Sequence, residues 1–573
     1  MPPREGNGAK GKFPLFFIVY RLRDFFRGLR PLRPCIGRYG RAGKLRNQPH
    51  KDACAHRRCE GSALVKNMRE IRFKTKCVSH AGSFLAVILL LQPLLDVLSF
   101  FMQEAGTTAV TTVLRLFLLA VVSLYGFVIS DRRQLYAAGW AVVAGFWLLH
   151  SLNSIREGYL EPVGDAAEFL KLVQFPLWAM AFFTIFQKRE GESEDVFGVL
   201  AINFGVILLV IGLSYLTGHT AFTYDFPERG IQLGVLGWFG VPNAQSAILS
   251  LLVPGVILWA LNTEQFWVYT VCSAAGLGLL YMTGTRLTYY TALLCAAGFL
   301  LLILLCRRPP VFCLPMLAFF ILLLALRGVS PMEQRQQVSE TSFAVYQEKI
   351  DAVMGEDRDF TYTKGQEIPP AVYEKIKTLY TDVYGVEGVY GEVLLGDLNE
   401  RFGVERVMEE FSYSIRPQVL NNSRTRKLIA LRMVWEERDF LTHLVGMEYS
   451  AAKIGAHNYD PENDFPALLY FTGYLGVAIY GLFLLGIVLY AILAFFVRFP
   501  SLLSPEFGTA AMMCALALGA AQLSGQVLRR PNVTVYFSLA AALLLVLARE
   551  TPSPRKLTTI YKPNPAVTRM KIG

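Results

Sequence analysis

Twelve apolar runs constrain this chain more than any other feature. They lie near residues 82–101, 109–129, 135–152, 166–186, 196–216, 236–261, 264–282, 286–306, 311–327, 466–497, 506–523 and 533–548. Most match the roughly 17–25 residues that an α-helix needs to cross a bilayer. Hydrocarbon offers no water to satisfy a backbone N–H or C=O, so each run has to close its hydrogen bonds within itself, as a helix. The expected fold class is therefore an all-α polytopic membrane protein with about 12 transmembrane helices, rather than the several soluble domains that 573 residues would otherwise suggest.

Charge orients those helices. Residues 1–80 hold 20 Lys/Arg against 5 Asp/Glu, whereas the remainder is slightly acidic. A basic excess confined to one end speaks for a tail beside an anionic membrane face and against a nucleic-acid-binding core. Arg132 and Arg133 follow run two, Lys188 and Arg189 run four, Arg307 and Arg308 run eight, and Arg498 run ten. All fall on the cytoplasmic side if residue 80 does, which places both termini in the cytoplasm. Arg529 and Arg530 then lie outside, against the rule, either as a weak exception or as functional residues.

The expected organisation is a basic cytoplasmic tail (1–80), nine spans (81–327), an extracytoplasmic cap loop (328–465), three spans (466–548) and a second basic tail (549–573). The cap loop carries 24 Asp/Glu and 15 Lys/Arg. Two helices are expected in it: Met332–Met354, and one that starts at an Asn422/Ser423 cap with Leu428, Leu431, Val434 and Trp435 on one face. Residues 1–67 read as a disordered tail or as sequence upstream of a true start at Met68, with an interfacial amphipathic helix in "FPLFFIVYRLRDFFRGLRPLR" as the alternative. None of the nine cysteines lies in the cap loop, so no disulfide framework is implied. Cys54, His56 and Cys59 look like half of a zinc site, but no second pair follows at zinc spacing.

Ionisable residues at the ends of spans are costly to place and are functional candidates for that reason. On the expected outer face these are Arg115, Lys171, Arg229 in "YDFPERG", Arg286 in "YMTGTRLTYY", and His457 with Asp460, Glu462 and Asp464 in "GAHNYDPENDF". Asp96 lies where it could pair with Lys171 or Arg115. Each residue has a plain alternative: Arg286 as a snorkelling anchor, Lys171 in a structural ion pair, Arg229 and His457 as loop residues, the acidic trio as a solvated cluster. Their convergence points to chemistry. Guanidinium groups match phosphate oxygens, and a nearby imidazole or carboxylate can take a proton from a hydroxyl nucleophile. Glycosyl transfer from a polyprenyl-linked phosphate donor uses both, because the leaving phosphate develops the charge that the cations stabilise.

Four segments resemble the O-antigen ligase and O-antigen polymerase superfamily of bacterial envelope glycosyltransferases. They are "GWFGVPNAQSAILSLLVPGVIL" (237–258), "YMTGTRLTYYTALL" (281–294) with Thr285 where the family has Ser, the Arg-rich "SRTRKLIALRMVWEERDFLTHLVGMEY" (423–449), and "GAHNYDPENDFPALLYFTGYLG" (455–476). The resemblance covers about 80–570. It implies a GT-C-like fold in the bacterial plasma membrane, an undecaprenyl-pyrophosphate-linked glycan as donor, a lipid or glycan acceptor, and neither cofactor nor metal. It carries outer-face arginines that bind pyrophosphate onto Arg229 and Arg286, and the loop histidine onto His457; Lys171, Arg115 and Arg424 are further pyrophosphate-binding candidates. His457 precedes Gly473 by 16 positions and Glu462 by 11, and the resemblance puts the His-Asn pair at the nearer slot. Either the loop has an insertion, or a carboxylate of Glu462 or Asp464 replaces the imidazole. The competing reading is a flippase or transporter of lipid-linked sugar, which would more commonly show two repeated halves. This chain has one large asymmetric loop and no evident repeat.

Overall fold

The structure, a computed structural model, describes residues 73–107, 109–188, 194–386 and 395–549. The tails, with the zinc half-site and the amphipathic patch, lie outside these residues. Among the described residues eleven helices are long and apolar enough to cross a membrane. They are α1 (Ala81–Glu104), α2 (Ala109–Ile129), α3 (Arg133–Glu157), α4 (Pro162–Lys188), α5 (Glu194–Leu216), α6 (Pro242–Asn262), α7 (Phe266–Thr283), α8 (Arg286–Leu305), and, beyond the cap, α17 (Asp464–Val497), α19 (Pro505–Leu523) and α20 (Pro531–Arg549), with the short α18 (Phe499–Leu502) between α17 and α19. The ninth expected span is shorter: a 3₁₀ turn at Pro310–Phe312 leads into α9 (Cys313–Ala325). The protein is an all-α polytopic membrane protein.

Helix α6 is the centre of the bundle, buried along almost its whole length. It packs against α5, α7, α8, α19 and α20. Two of these neighbours present small residues: Ala540, Ala541 and Ala542 of α20, and Ala510, Ala517 and Ala521 of α19, are all buried. Small side chains let backbones approach, which is how helices associate where lipid is as apolar as leucine. Hydroxyls tie α8 to α6, Thr285 to Ser246 at 3.0 Å and Thr291 to Ser250 at 3.1 Å. Helix α3, by contrast, lies at the periphery.

Between α9 and α17 the chain forms a helical cap: α10 (Pro331–Met354), α11 (Pro370–Thr378), α12 (Gly396–Phe402), α13 (Val404–Glu410), α14 (Pro417–Leu420), α15 (Ser423–Glu436) and α16 (Phe440–Val445). Helix α10 starts as its sequence dictates, with Ser330 accepting from the Glu333 N–H and proline at the first helical position. Asn422 caps α15 in the same way, accepting from the N–H groups of Arg424 and Thr425. Tyr346, Ile350, Ile376, Tyr380, Leu398 and Met408 are fully buried, so the cap has its own apolar core. Two small antiparallel hairpins complete the fold. One is β1 (Tyr224–Phe226) with β2 (Ile231–Leu233); the other is β3 (Lys453–Ile454) with β4 (His457–Asn458).

Helix α17 is broken at Gly473 (φ 63°, ψ −172°). The end of α16 occupies the break: Met447 N–H donates to the Tyr470 carbonyl at 3.0 Å. The contact gives a backbone donor of the cap and a carbonyl of the broken helix a partner in each other, and buried backbone groups left unpaired are costly. The cap is thus seated in the bundle through backbone contact as well as through side chains.

Candidate active site

One polar cavity of about 260 Å³ opens where the cap meets the bundle. Its walls come from the cap-side ends of α1, α2, α4 and α6, from the loop between α19 and α20, and from Tyr449 and Asp460 of the segment joining α16 to α17. Four cations line it: Arg115, Lys171, Arg529 and Arg530.

Three of these cations are matched by carboxylates. Arg115 Nη2 donates to Asp96 Oδ1 at 2.7 Å, and Asn532 Nδ2 donates to the same oxygen at 2.8 Å. Lys171 pairs with Glu168, one turn away on α4. Arg529, 5% exposed, donates through Nη1 to Asp460 Oδ1 at 2.6 Å and through Nη2 to the Pro461 carbonyl. Its Nε also lies 3.7 Å from Asp464. Arg530 has no ion-pair partner among the described residues; its Nε donates to Gln526 Oε1 at 2.8 Å. Burial, and next the charge of Arg529, holds Arg530 below the ordinary guanidinium range. A guanidinium keeps its proton nonetheless. An anion in the cavity would relieve that repulsion and complete its charge-assisted hydrogen bonds.

Tyr449 stands at the same wall, its hydroxyl accepting from Asn458 Nδ2 at 3.1 Å. Burial, reinforced by the charges of Asp460 and Glu168, pushes its phenol up to about 12. The phenol therefore stays protonated, as a hydrogen-bond donor, through the neutral and moderately alkaline range. Tyr449→Phe is expected to lower kcat/KM for transfer about 3- to 10-fold, the worth of one neutral hydrogen bond, with an unchanged pH profile between about pH 6 and 10. A lost alkaline limb in the mutant would contradict this role. The position of Tyr449 is set by buried polar contacts from the bundle: Asp165 Oδ1 accepts from its backbone N–H at 2.9 Å, and Asp165 Oδ2 faces His150 Nε2 at 3.0 Å. His150 in turn donates through Nδ1 to the Val445 carbonyl at 2.9 Å.

Of the residues expected from sequence, Arg115 and Lys171 reach the cavity, and Arg229, Arg286 and Arg424 do not line it. Arg229 leaves the β1–β2 hairpin to donate to the Val338 carbonyl and Ser342 on α10, both at 3.1 Å. Arg286 donates to Gln336 at 3.3 Å. Arg424 holds α15 to the bundle, donating to Glu462 at 2.7 Å and to the carbonyls of Leu523 and Ser524. Arg286 and Arg424, with Arg335 stacked 5.1 Å over its ring, act on Tyr224 and so form a second basic group at the cap boundary.

The three candidate bases also lie apart from the cavity lining. His457 sits on the exposed β3–β4 hairpin and faces Asp397 of the cap at 2.6 Å. Glu462 is held between Arg424 and Lys427. Asp464 is wholly buried, where Oδ2 accepts from the Val527 and Leu528 N–H groups at 2.6 and 3.0 Å. It clamps the loop that presents Arg529 and Arg530. From the stretch "GAHNYDPENDF" only Asp460 reaches the cavity. Glu168, Tyr449, Gln245 and Asn532 are the residues that sequence reasoning missed. Glu168 and Asn532 gave one signal, a polar side chain at the end of an apolar run, which many structural residues share; Gln245, inside a run, and Tyr449, in the cap segment, gave not even that. Among the described residues no group of three or more His, Cys, Asp or Glu side chains could hold a metal ion.

The bundle and this cavity define a polytopic membrane protein with a cationic site at one membrane face. A family profile described as O-antigen ligase like membrane protein matches residues 79–551, and the chain belongs to that family. The family gives it a role in glycosyl transfer at the membrane. No curated protein matches the chain.

Proposed function

We propose that the protein transfers a glycan from a polyprenyl-pyrophosphate donor to a hydroxyl acceptor, with the donor's phosphates in the cavity beside Lys171, Arg529 and Arg530. The observation that carries this reading is Arg530, a half-buried guanidinium in a polar cavity with no carboxylate partner among the described residues. The acceptor oxygen bonds to the anomeric carbon as the C–O bond to the phosphate breaks, and the electron pair leaves with the pyrophosphate. Its added negative charge is what cations already in place stabilise most. The acceptor proton goes to Asp460, whose Oδ2 carries no hydrogen bond among the described residues. In this reading the cap faces the extracytoplasmic side of a bacterial plasma membrane and both termini face the cytoplasm, in keeping with the basic loops on the opposite side.

The test uses the purified full-length protein in nanodiscs with undecaprenyl-pyrophosphate-linked glycan and candidate acceptors. Asp460→Asn is expected to lower transfer at least about 100-fold, within the range for loss of a general base. His457→Ala, on the exposed hairpin, should keep at least about one third of the wild-type rate, because its removal breaks one hydrogen bond at the surface, to Asp397. The reverse order of effects would return the base to His457. Translocation of the lipid-linked sugar without any transfer would sink the enzyme reading.

A further inference from the structure

Part of the cavity lining carries buried hydrogen-bond donors that the protein leaves without acceptors. Gln245 of α6 is 3% exposed, and its Nε2 has no hydrogen-bond partner among the described residues. Arg115 Nη1 is likewise buried and unpartnered, although Nη2 of the same guanidinium binds Asp96. Both side chains line the cavity, as do Asp96 and Asn532. Buried donors left without acceptors are uncommon because each keeps its full desolvation cost. Two in one cavity lining mark a place where a bound molecule supplies oxygen acceptors.

A phosphate would supply acceptors, but it would also meet the Asp96 carboxylate. A sugar ring suits this lining better. Its oxygens accept from Gln245 Nε2 and Arg115 Nη1, and its hydroxyl protons can be donated to Asp96. We propose that the part of the lining formed by Gln245, Arg115, Asp96 and Asn532 binds the hydroxylated sugar ring attached to the donor's pyrophosphate. The proposal rests on the function proposed above, and it divides the cavity in two: phosphate beside Lys171, Arg529 and Arg530, sugar against Gln245 and Arg115. The charge of Arg115 is already matched by Asp96, which leaves this side chain to recognise hydrogen-bond acceptors rather than to neutralise phosphate.

Two lipid probes separate the halves. Binding of undecaprenyl pyrophosphate and of undecaprenyl-pyrophosphate-N-acetylglucosamine to the full-length protein would be measured in nanodiscs. Gln245→Ala, and Gln245→Leu, which keeps the volume and so guards against loss of fold, should weaken the sugar-bearing lipid tenfold or more. Both variants should leave the bare pyrophosphate within twofold. Arg530→Ala should weaken both probes. If the Gln245 variants weaken both lipids equally, or neither, the sugar subsite is wrong while the phosphate site stands. If the wild-type protein binds neither lipid, the donor proposed above is wrong and the subsite falls with it.

Discussion

Replacing Arg530 with alanine is expected to lower kcat for glycosyl transfer about 100- to 1,000-fold, the usual loss when one preorganised donor to a developing negative charge is removed. The fold should survive. Arg530 pairs with no carboxylate among the described residues, and its one side-chain hydrogen bond is to Gln526, so truncation orphans no buried charge. Arg529→Ala provides the contrast. That guanidinium is almost wholly buried between Asp460, the Pro461 carbonyl and Asp464. Removing one partner of such a group leaves the others uncompensated and costs about 3–5 kcal/mol. Two adjacent arginines of the same loop are therefore expected to fail differently, one in catalysis and one in folding. Rates from the purified protein, read beside thermal unfolding of both variants, check this. An Arg530→Ala enzyme with unchanged kcat would remove the phosphate cradle, and Arg530→Lys should recover part of the rate, since it restores charge without the planar fork.

Gly473→Ala should unfold the cap side of the molecule. Its φ and ψ lie in a region that only glycine occupies without strain, which alone costs about 1–3 kcal/mol for another residue. A Cβ there would also stand 2.5 Å from the Gly446 nitrogen and the Leu444 carbonyl oxygen. These are backbone atoms, pinned by the Met447 hydrogen bond to Tyr470 and by His150 on Val445, and they cannot move aside. A total loss above about 3 kcal/mol is a large part of a typical stability. The expected result is loss of the monodisperse peak in fluorescence-detected size exclusion, together with loss of activity. Gly481→Ala, later in the same helix with nothing within 4 Å of the added methyl, should leave both unchanged or gain slightly, because alanine is the better helix former. Equal behaviour of the two variants would show that the break is not what seats the cap.

The bundle was legible from the sequence because its signals are local. Span length is set by the bilayer and apolar composition by the lipid, and a window of about twenty residues records both. The cap of α15 was legible for the same reason, since a cap is made by residues two or three positions apart. Arg115 and Lys171 stood out because a charge inside an apolar run is conspicuous. The loop pair Arg529 and Arg530 stood out only as a breach of the charge rule, with nothing to say which partners they would meet.

Convergence was not legible. Whether Asp460, Glu462, Asp464 or His457 reaches the cavity turns on the path of one short loop. Neighbours in that loop end on an exposed hairpin, in a cap ion pair, under a backbone clamp and in the cavity wall. Asp460 meets Arg529 across 69 positions and Asp96 meets Asn532 across 436. No local pattern encodes such pairs, because they form only once α1, α2, α4, α6 and α20 have packed. Bilayer thickness and backbone hydrogen bonding let the sequence alone determine a helical membrane bundle with a polar cap. Which of its many arginines share one cavity was decided by the tertiary packing.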